Sequence, residues 1–319
     1  MTNEELVQEL PHLVAHWGYE LQRCRPDLRI GGSPERALHR EVLEDANGDL
    51  YVIEQLPLQK QSARELQAKA LRFLADHLVA GVFPWLNTTD GQPGLIHDGC
   101  YWQLRRWVDG VPLPRDTYLD DAWRGDLLAH FLLEMRRATR EDTIPGSTEP
   151  AFSLAHYIQV LMPIFGNKLP QLVTDLEPIR QELAEFFAQE PRLPCAFAHG
   201  DFHPGNVIWA EHGLNGVIDW EFCGNKPAAY DLANLLGCIG MDEPAQLYGP
   251  CATALVRRLR ENDFLTEDGW HFLPELVAAL RFAWMREWVA HRDKPMITQE
   301  LDFLWLVLDN RDLLRQKWS

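Results

Sequence analysis

The spacing of apolar positions divides this chain into a first third that reads as strands and a longer remainder that reads mainly as helix. Apolar runs at 37–44 and 50–56 flank Asp45-Ala46-Asn47-Gly48-Asp49. Asn-Gly between two such runs predicts a β-hairpin, because both residues tolerate positive φ. Ahead of it, Gly31-Gly32-Ser33-Pro34 predicts a flexible turn. Over 62–78 the period becomes helical, with Leu66, Ala70, Leu71, Leu74 and Leu78 at three- and four-residue spacing. Ser62 is the expected N-cap, with Glu65 at the capping-box position. Two short strands, 95–97 and 101–108, are expected to follow, joined through Asp98-Gly99.

The segment Asp109-Gly110-Val111-Pro112-Leu113-Pro114 marks a change of character and the expected lobe boundary. This predicts an N-terminal lobe over 1–108 and a C-terminal lobe over 109–319. Helical periodicity dominates at 119–139, 154–165, 172–187, 276–289 and 301–314, interrupted by a strand-rich island at 195–220. Trp284 and Trp288, four apart, read as core rather than as a ligand box. There is no internal repeat and no low-complexity tract.

Composition narrows the function classes. Lys plus Arg is 30 against Asp plus Glu 47, a formal net charge of −17. That balance argues against a nucleic-acid backbone as partner. It is compatible with a cationic substrate, although an acidic surface also serves solubility alone. The six cysteines form no C-x-x-C pair and show no zinc spacing, so they read as buried apolar residues of a reducing compartment. The acidic start MTNEELVQEL lacks the basic and apolar regions of a signal peptide, and no run approaches the roughly 20 apolar residues of a membrane span. The expectation is a cytoplasmic protein without a membrane partner.

Candidate chemistry concentrates in one stretch. Ala198-His199-Gly200-Asp201-Phe202-His203-Pro204-Gly205-Asn206 has the form H-x-D-x-x-x-x-N, the layout of a protein-kinase catalytic loop. Gly216-Val217-Ile218-Asp219-Trp220-Glu221 then places an aspartate at the end of an apolar strand. Phosphoryl transfer explains these residue types, since its loose transition state is stabilised mainly by positioning and charge neutralisation. Asp201 is the candidate to orient a hydroxyl and accept its proton. Asn206 and Asp219 supply the hard oxygen ligands that magnesium needs beside nucleotide phosphates. Gly200, Pro204 and Gly205 allow the tight turn between them. His203 reads as a loop hydrogen-bonder or a substrate contact, and His199 as a loop histidine. Asp231 suits an N-cap as well as a loop brace. Glu221, two residues past Asp219, shares its side of an extended strand, where it could bind metal or a cationic acceptor or remain solvated.

These residues carry a resemblance. The sequence is similar to the aminoglycoside phosphotransferase and choline kinase-like family, whose loop resembles H-G-D-x-H-x-x-N and whose metal strand resembles I-D-W or I-D-F plus an acid. His199, Gly200, Asp201, His203 and Asn206 match the first, Ile218 to Glu221 the second, and Tyr230-Asp231-Leu232-Ala233 a following segment. The likeness covers most of the chain, from about Tyr19 to Asn310. It implies an α+β, protein-kinase-like two-lobed fold: a small antiparallel N-lobe sheet with one helix, and a larger, mainly helical C-lobe. It also implies ATP and Mg2+ as cofactors, Asp201 as base, Asn206 and Asp219 as metal ligands, and Asp231 as the loop brace. Gly31, Gly32, Ser33 and Arg36 would form a phosphate-covering turn, and 101–108 the strand that meets adenine.

One position departs from that pattern. In Tyr51-Val52-Ile53-Glu54-Gln55, Glu54 stands where the family's strand lysine meets the phosphates. Magnesium, Arg40 or Lys60 could compensate, the register could differ, or nucleotide binding could be altered. Alternation puts Glu54 on the face of Val52. If that face looks into the nucleotide cleft, a lysine at 54 should restore the phosphate contact, and if Glu54 faces solvent the change should leave affinity nearly unchanged. The leading reading is therefore an ATP-dependent kinase acting on a hydroxyl of an amino alcohol, amino acid, aminoglycoside or sugar. A kinase-shaped binding or regulatory protein is the alternative that Glu54 motivates. A metal hydrolase using His199, Asp201 and His203 would leave Asn206 and Asp219 without roles.

Overall fold

The structure, a computed structural model, describes residues 3–30, 37–140, 144 and 152–319. It divides into two compact units. Met1–Pro112, Glu141–Gly146 and Gly205–Glu221 form the first, and Leu113–Arg140, Ser147–Pro204 and Phe222–Ser319 the second. Small antiparallel sheets and many helices make up the fold, and none of the described helices is long and apolar enough to cross a membrane.

In the first unit, helix α1 (Asn3–Ala15) precedes strands β1 (Leu21–Cys24), β2 (His39–Asp45) and β3 (Leu50–Pro57). Helix α2 (Gln61–Asp76) and strands β4 (Leu95–His97) and β5 (Cys100–Arg106) follow, giving an antiparallel sheet in the order β1-β2-β3-β5-β4. The expected hairpin is present, and its turn is held by Asp45, whose Oδ1 accepts from the backbone N–H groups of Asn47 and Asp49 at 2.9 Å each. Gly48 supplies the positive φ of 85°.

Alternation then sorts the strands. Leu43, Tyr51, Ile53, Trp102 and Leu104 pack on Leu10, Leu13, Val14 and Trp17 of α1 and its exit. Val52, Glu54 and Leu56 take the opposite face. Strand β1 was not foreseen, because Leu21-Gln22-Arg23-Cys24 has no apolar run. It is an edge strand whose Arg23 pairs with Glu44 of β2 at 2.9 Å.

Two expectations about α2 need correction. The helix is preceded by a short 3-10 turn at Leu58–Lys60, so Lys60 stands at the N-cap without a side-chain cap and Ser62 already lies inside. The inward face also differs. Leu66 and Leu78 are exposed, whereas Arg64, Gln67, Ala68, Ala70, Leu71 and Leu74 are buried. Two polar side chains therefore occupy the packing face, and the reason lies in the cavity described below.

The second unit contains α3 (Ala122–Ala138), α4 (Leu154–Lys168), α5 (Pro170–Glu182), α6 (Ala184–Gln189) and strand β6 (Cys195–Ala198). Strands β7 (Val207–Ala210) and β8 (Gly213–Val217) belong to the first unit as a hairpin, and β9 (Gly224–Pro227) pairs with β6 in the second. Helices α7 (Tyr230–Asp242), α8 (Pro250–Arg260), α9 (Glu267–His271), α10 (Leu273–His291), α11 (Lys294–Asp309) and α12 (Arg311–Lys317) complete the chain. Helices α10 and α11 are joined at a buried ion pair, with Arg281 Nε donating to Glu300 Oε2 at 2.8 Å. Trp288 Nε1 donates to the other carboxylate oxygen of Glu300 at 3.0 Å.

Candidate active site

In the first unit, the β7–β8 hairpin decides where Asn206 and Asp219 stand. Val207 pairs with Val217, so the residues just outside that pair lie side by side, and the Ile218 N–H donates to Asn206 O at 2.9 Å. Asn206 is buried at the start of this hairpin. Asp219 has φ of 63°, in the left-handed region that non-glycine residues seldom occupy. Trp220 fixes the turn beyond it, buried and donating from Nε1 to Val217 O at 2.9 Å. Strained backbone of this kind persists where the surroundings over-determine it, and it concentrates at functional sites.

Glu221 does not sit on an extended strand with Asp219. Strand β8 ends at Val217 and 220–222 form a 3-10 turn, so two-residue alternation does not apply. The Glu221 carboxylate pairs with Lys60 Nζ at 3.0 Å, and its carbonyl accepts from Gln67 Nε2 at 3.2 Å.

A cavity of about 40 Å³ lies in this unit, and Arg40, Glu54, Arg64, Gln67, Arg105 and Asp219 are among its lining. Glu54 is thus turned inward, at 4% exposure, and not toward solvent. It stands opposite Arg40 across β2 and β3, whose Nε donates to its Oε1 at 3.0 Å. Arg40 and Glu54 form a pair with charges reversed from a strand lysine, and the register is unbroken. Arg64 and Gln67 of α2 complete the polar lining, which explains their burial on that helix. Gly31, Gly32, Ser33 and Arg36 lie outside the described residues.

In the second unit, β6 leads into the loop that carries His199, Asp201 and His203. Gly200 has φ of 86°, and a Cβ there would overlap the carbonyl oxygen of Phe222, so both the turn and the close approach require glycine. Asp231, in the first turn of α7, accepts from the backbone N–H groups of His199 at 2.7 Å and Gly200 at 2.8 Å. The N-cap of α7 is Ala229, so the Asp231 carboxylate serves the loop and not its own helix end. Burial pushes its pKa up to about 6, against the opposing pull of those two N–H groups and of Lys226 and Arg136.

His199 is fully buried, and its Nδ1 accepts from the Asp201 N–H at 3.1 Å, which places its own proton on Nε2. His203 Nε2 lies 3.9 Å from Asp201 Oδ1, and its ring meets Trp284 edge-on. Asn234 Nδ2 donates to Phe202 O at 3.1 Å and its Oδ1 accepts from Trp284 Nε1 at 3.2 Å. Asn234 and Trp284 therefore join the loop's support. Sequence reading missed Asn234, although its place three residues after Asp231 on one helix face is a usable signal.

Each unit therefore groups its own share of the motif residues: Glu54, Asn206, Asp219 and Glu221 in the first, and His199, Asp201, His203 and Asp231 in the second. The oxygen donors of Asn206 and Asp219 suit a hard divalent cation that completes its shell with phosphate and water. Among the described residues, no group of three or more His, Cys, Asp or Glu side chains forms an all-protein metal cage.

Comparison with known proteins bears on this arrangement. Residues 39–276 match the family model described as APH, phosphotransferase enzyme family. The chain is 28% identical over 237 residues to a homoserine kinase of Gluconacetobacter diazotrophicus, covering 67% of this chain and 70% of that one. It is 29% identical over 119 residues to a homoserine kinase of Acidiphilium cryptum, covering 35% of this chain and only 37% of that relative's length. Its fold is similar to that of an amicoumacin kinase in complex with AMP-PNP, Ca2+ and Ami, with TM-score 0.69, 14% identity, and coverage of 97% and 94% of the two chains.

Proposed function

We propose a reaction for a chain that belongs to the APH phosphotransferase enzyme family: transfer of the γ-phosphoryl group of ATP to a hydroxyl of a small molecule. The class, small-molecule kinase, is that of the family and its relatives. The nucleotide, the metal and the acceptor are our inference.

The observation that carries the reading is the open end of the β7–β8 hairpin, where Asn206 just precedes β7 and a strained Asp219 lies just beyond β8, lining a cavity that Arg40, Arg64 and Arg105 also line. In this reading Asn206 and Asp219 hold magnesium, which when bound neutralises charge on the phosphates. Asp201 orients the acceptor hydroxyl and takes its proton. Asp231 keeps the backbone of the Asp201 loop in place through its two accepted bonds. Nucleotide binding is assigned to the first unit and acceptor binding to the second.

The amicoumacin kinase complex supports a nucleotide with a divalent cation. The homoserine kinases put an amino acid bearing a hydroxyl first among candidate acceptors. A binding-only relic is disfavoured because Glu54 is neutralised by Arg40 and so is not an unopposed charge facing phosphates. A zinc triad of His199, Asp201 and His203 is disfavoured because His199 is buried with Nδ1 occupied.

The test is ADP release with ATP and magnesium across homoserine, choline, sugars and aminoglycosides, beside a thermal-shift measurement with nucleotide. One acceptor should raise ADP release above background. Absence of any nucleotide-dependent shift would reject the assignment.

A further inference from the structure

We infer that Arg105, seconded by Arg64, is the oxyanion seat of the first unit, so that β5 and α2 supply the cation for a nucleotide's phosphates that β3 lacks. The inference rests on the nucleotide reading above and names the residues that would serve it.

Arg105 pairs with Val52 across β3 and β5, which sets its side chain on the face of Glu54. It is 9% exposed and lines the cavity with Asp219. Among the described residues its guanidinium has no hydrogen-bond acceptor, and its ring neighbour is Trp85, 5.8 Å from Cζ to centroid. A guanidinium carries five N–H donors. Burial of the side chain lowers the Arg105 pKa, with Glu54 and Asp219 acting in the opposite direction.

The neighbouring charges do not satisfy it. Glu54 gives its bonds to Arg40. Asp219 belongs to the proposed metal. Arg64 Nη1 donates to the neutral Gln67 Oε1 at 3.3 Å, so its charge is also unmatched by that contact. Among the described residues the lining has three arginines against two carboxylates, a balance of 3 − 2 = +1. The cavity exceeds the roughly 10–15 Å³ that admits one water, which leaves room for phosphate oxygens. A buried cation with vacant donors in such a space selects an oxyanion, and guanidinium geometry matches phosphate.

Calorimetry on the full chain with magnesium separates the possibilities, using ATP, adenosine and inorganic tripolyphosphate as probes. In Arg105→Gln, ATP and tripolyphosphate should bind about tenfold to a hundredfold more weakly, as loss of a charge-assisted bond implies, with adenosine within about twofold. Arg105→Lys should recover part of the loss. If Arg105→Gln does not fold, Arg64→Gln carries the same expectation and decides the matter in the same way. ATP affinity within about twofold of wild type would overturn the inference while leaving the nucleotide reading intact. Equal losses for adenosine and ATP would also overturn it, since they mark general damage. Wild-type protein that binds none of the three probes would overturn both readings.

Discussion

Arg40 and Glu54 face each other across β2 and β3, with Nε and Nη2 of the arginine 3.0 and 2.9 Å from one carboxylate oxygen. The side chains are 12% and 5% exposed, so the pair is held largely out of water. Its presence inverts the expectation that a lysine at position 54 would restore a phosphate contact. Such a lysine would meet Arg40 directly, with Arg64 and Arg105 lining the same cavity.

Glu54→Lys is therefore expected to weaken both the fold and ATP binding. Breaking a buried ion pair by removing one partner typically costs about 3–5 kcal/mol. Denaturant titration should register a loss of that order, and calorimetry should show no gain in ATP affinity. Tighter ATP binding by the variant would mean that the Arg40 pairing does not matter to the site.

Asp201→Asn should reduce turnover on the identified acceptor by about 10²–10⁴-fold, the usual range for a lost general base. Nucleotide affinity should change little, because the proposed role concerns the acceptor hydroxyl. Steady-state kinetics together with ATP calorimetry measures both quantities. Undiminished turnover would remove Asp201 from the role of base.

Asp219→Ala should abolish the enhancement of nucleotide binding by magnesium, since only a hard oxygen ligand at that point can share the ion with phosphate. Titrating ATP with and without magnesium compares the two proteins. An equal metal effect in both would place the ion elsewhere.

Asp231 predicts a pH dependence. Its pKa stands near 6 in the fold against an ordinary 3.8, so between these values the folded chain binds more protons than the unfolded one. Stability then falls as pH rises through that window, and is highest with respect to this group below it. Relative to Asp231→Asn, wild type should lose on the order of 2–3 kcal/mol from about pH 4 to 6, because groups common to both proteins cancel. Chemical denaturation at several pH values measures the difference. A flat difference would show that the carboxylate is not penalised by its burial.

The features legible in residue order alone were local ones. The Asp45–Asp49 hairpin was legible because Asn-Gly chemistry and two apolar runs act within the twenty residues 37–56. The family was legible because the H-x-D-x-x-x-x-N stretch and the Asp219 segment are short and specific. Helices at 154–165 and 276–289 were legible from periodicity alone and extend to Leu154–Lys168 and Leu273–His291. The remainder came from how the chain packs. The partner of Glu54 follows from strand register, which joins residues 14 apart. The apolar periodicity of α2 placed Leu66 inward, yet the cavity drew Arg64 and Gln67 into that face. The Glu221 carboxylate is paired with Lys60, 161 positions upstream, which no spacing rule connects. Asp231 serves residues 31 and 32 positions upstream, where an N-cap reading looks only to its own helix. Turn chemistry and periodicity are written in neighbouring residues. The burial and pairing of charge depend on which distant segments the fold brings together.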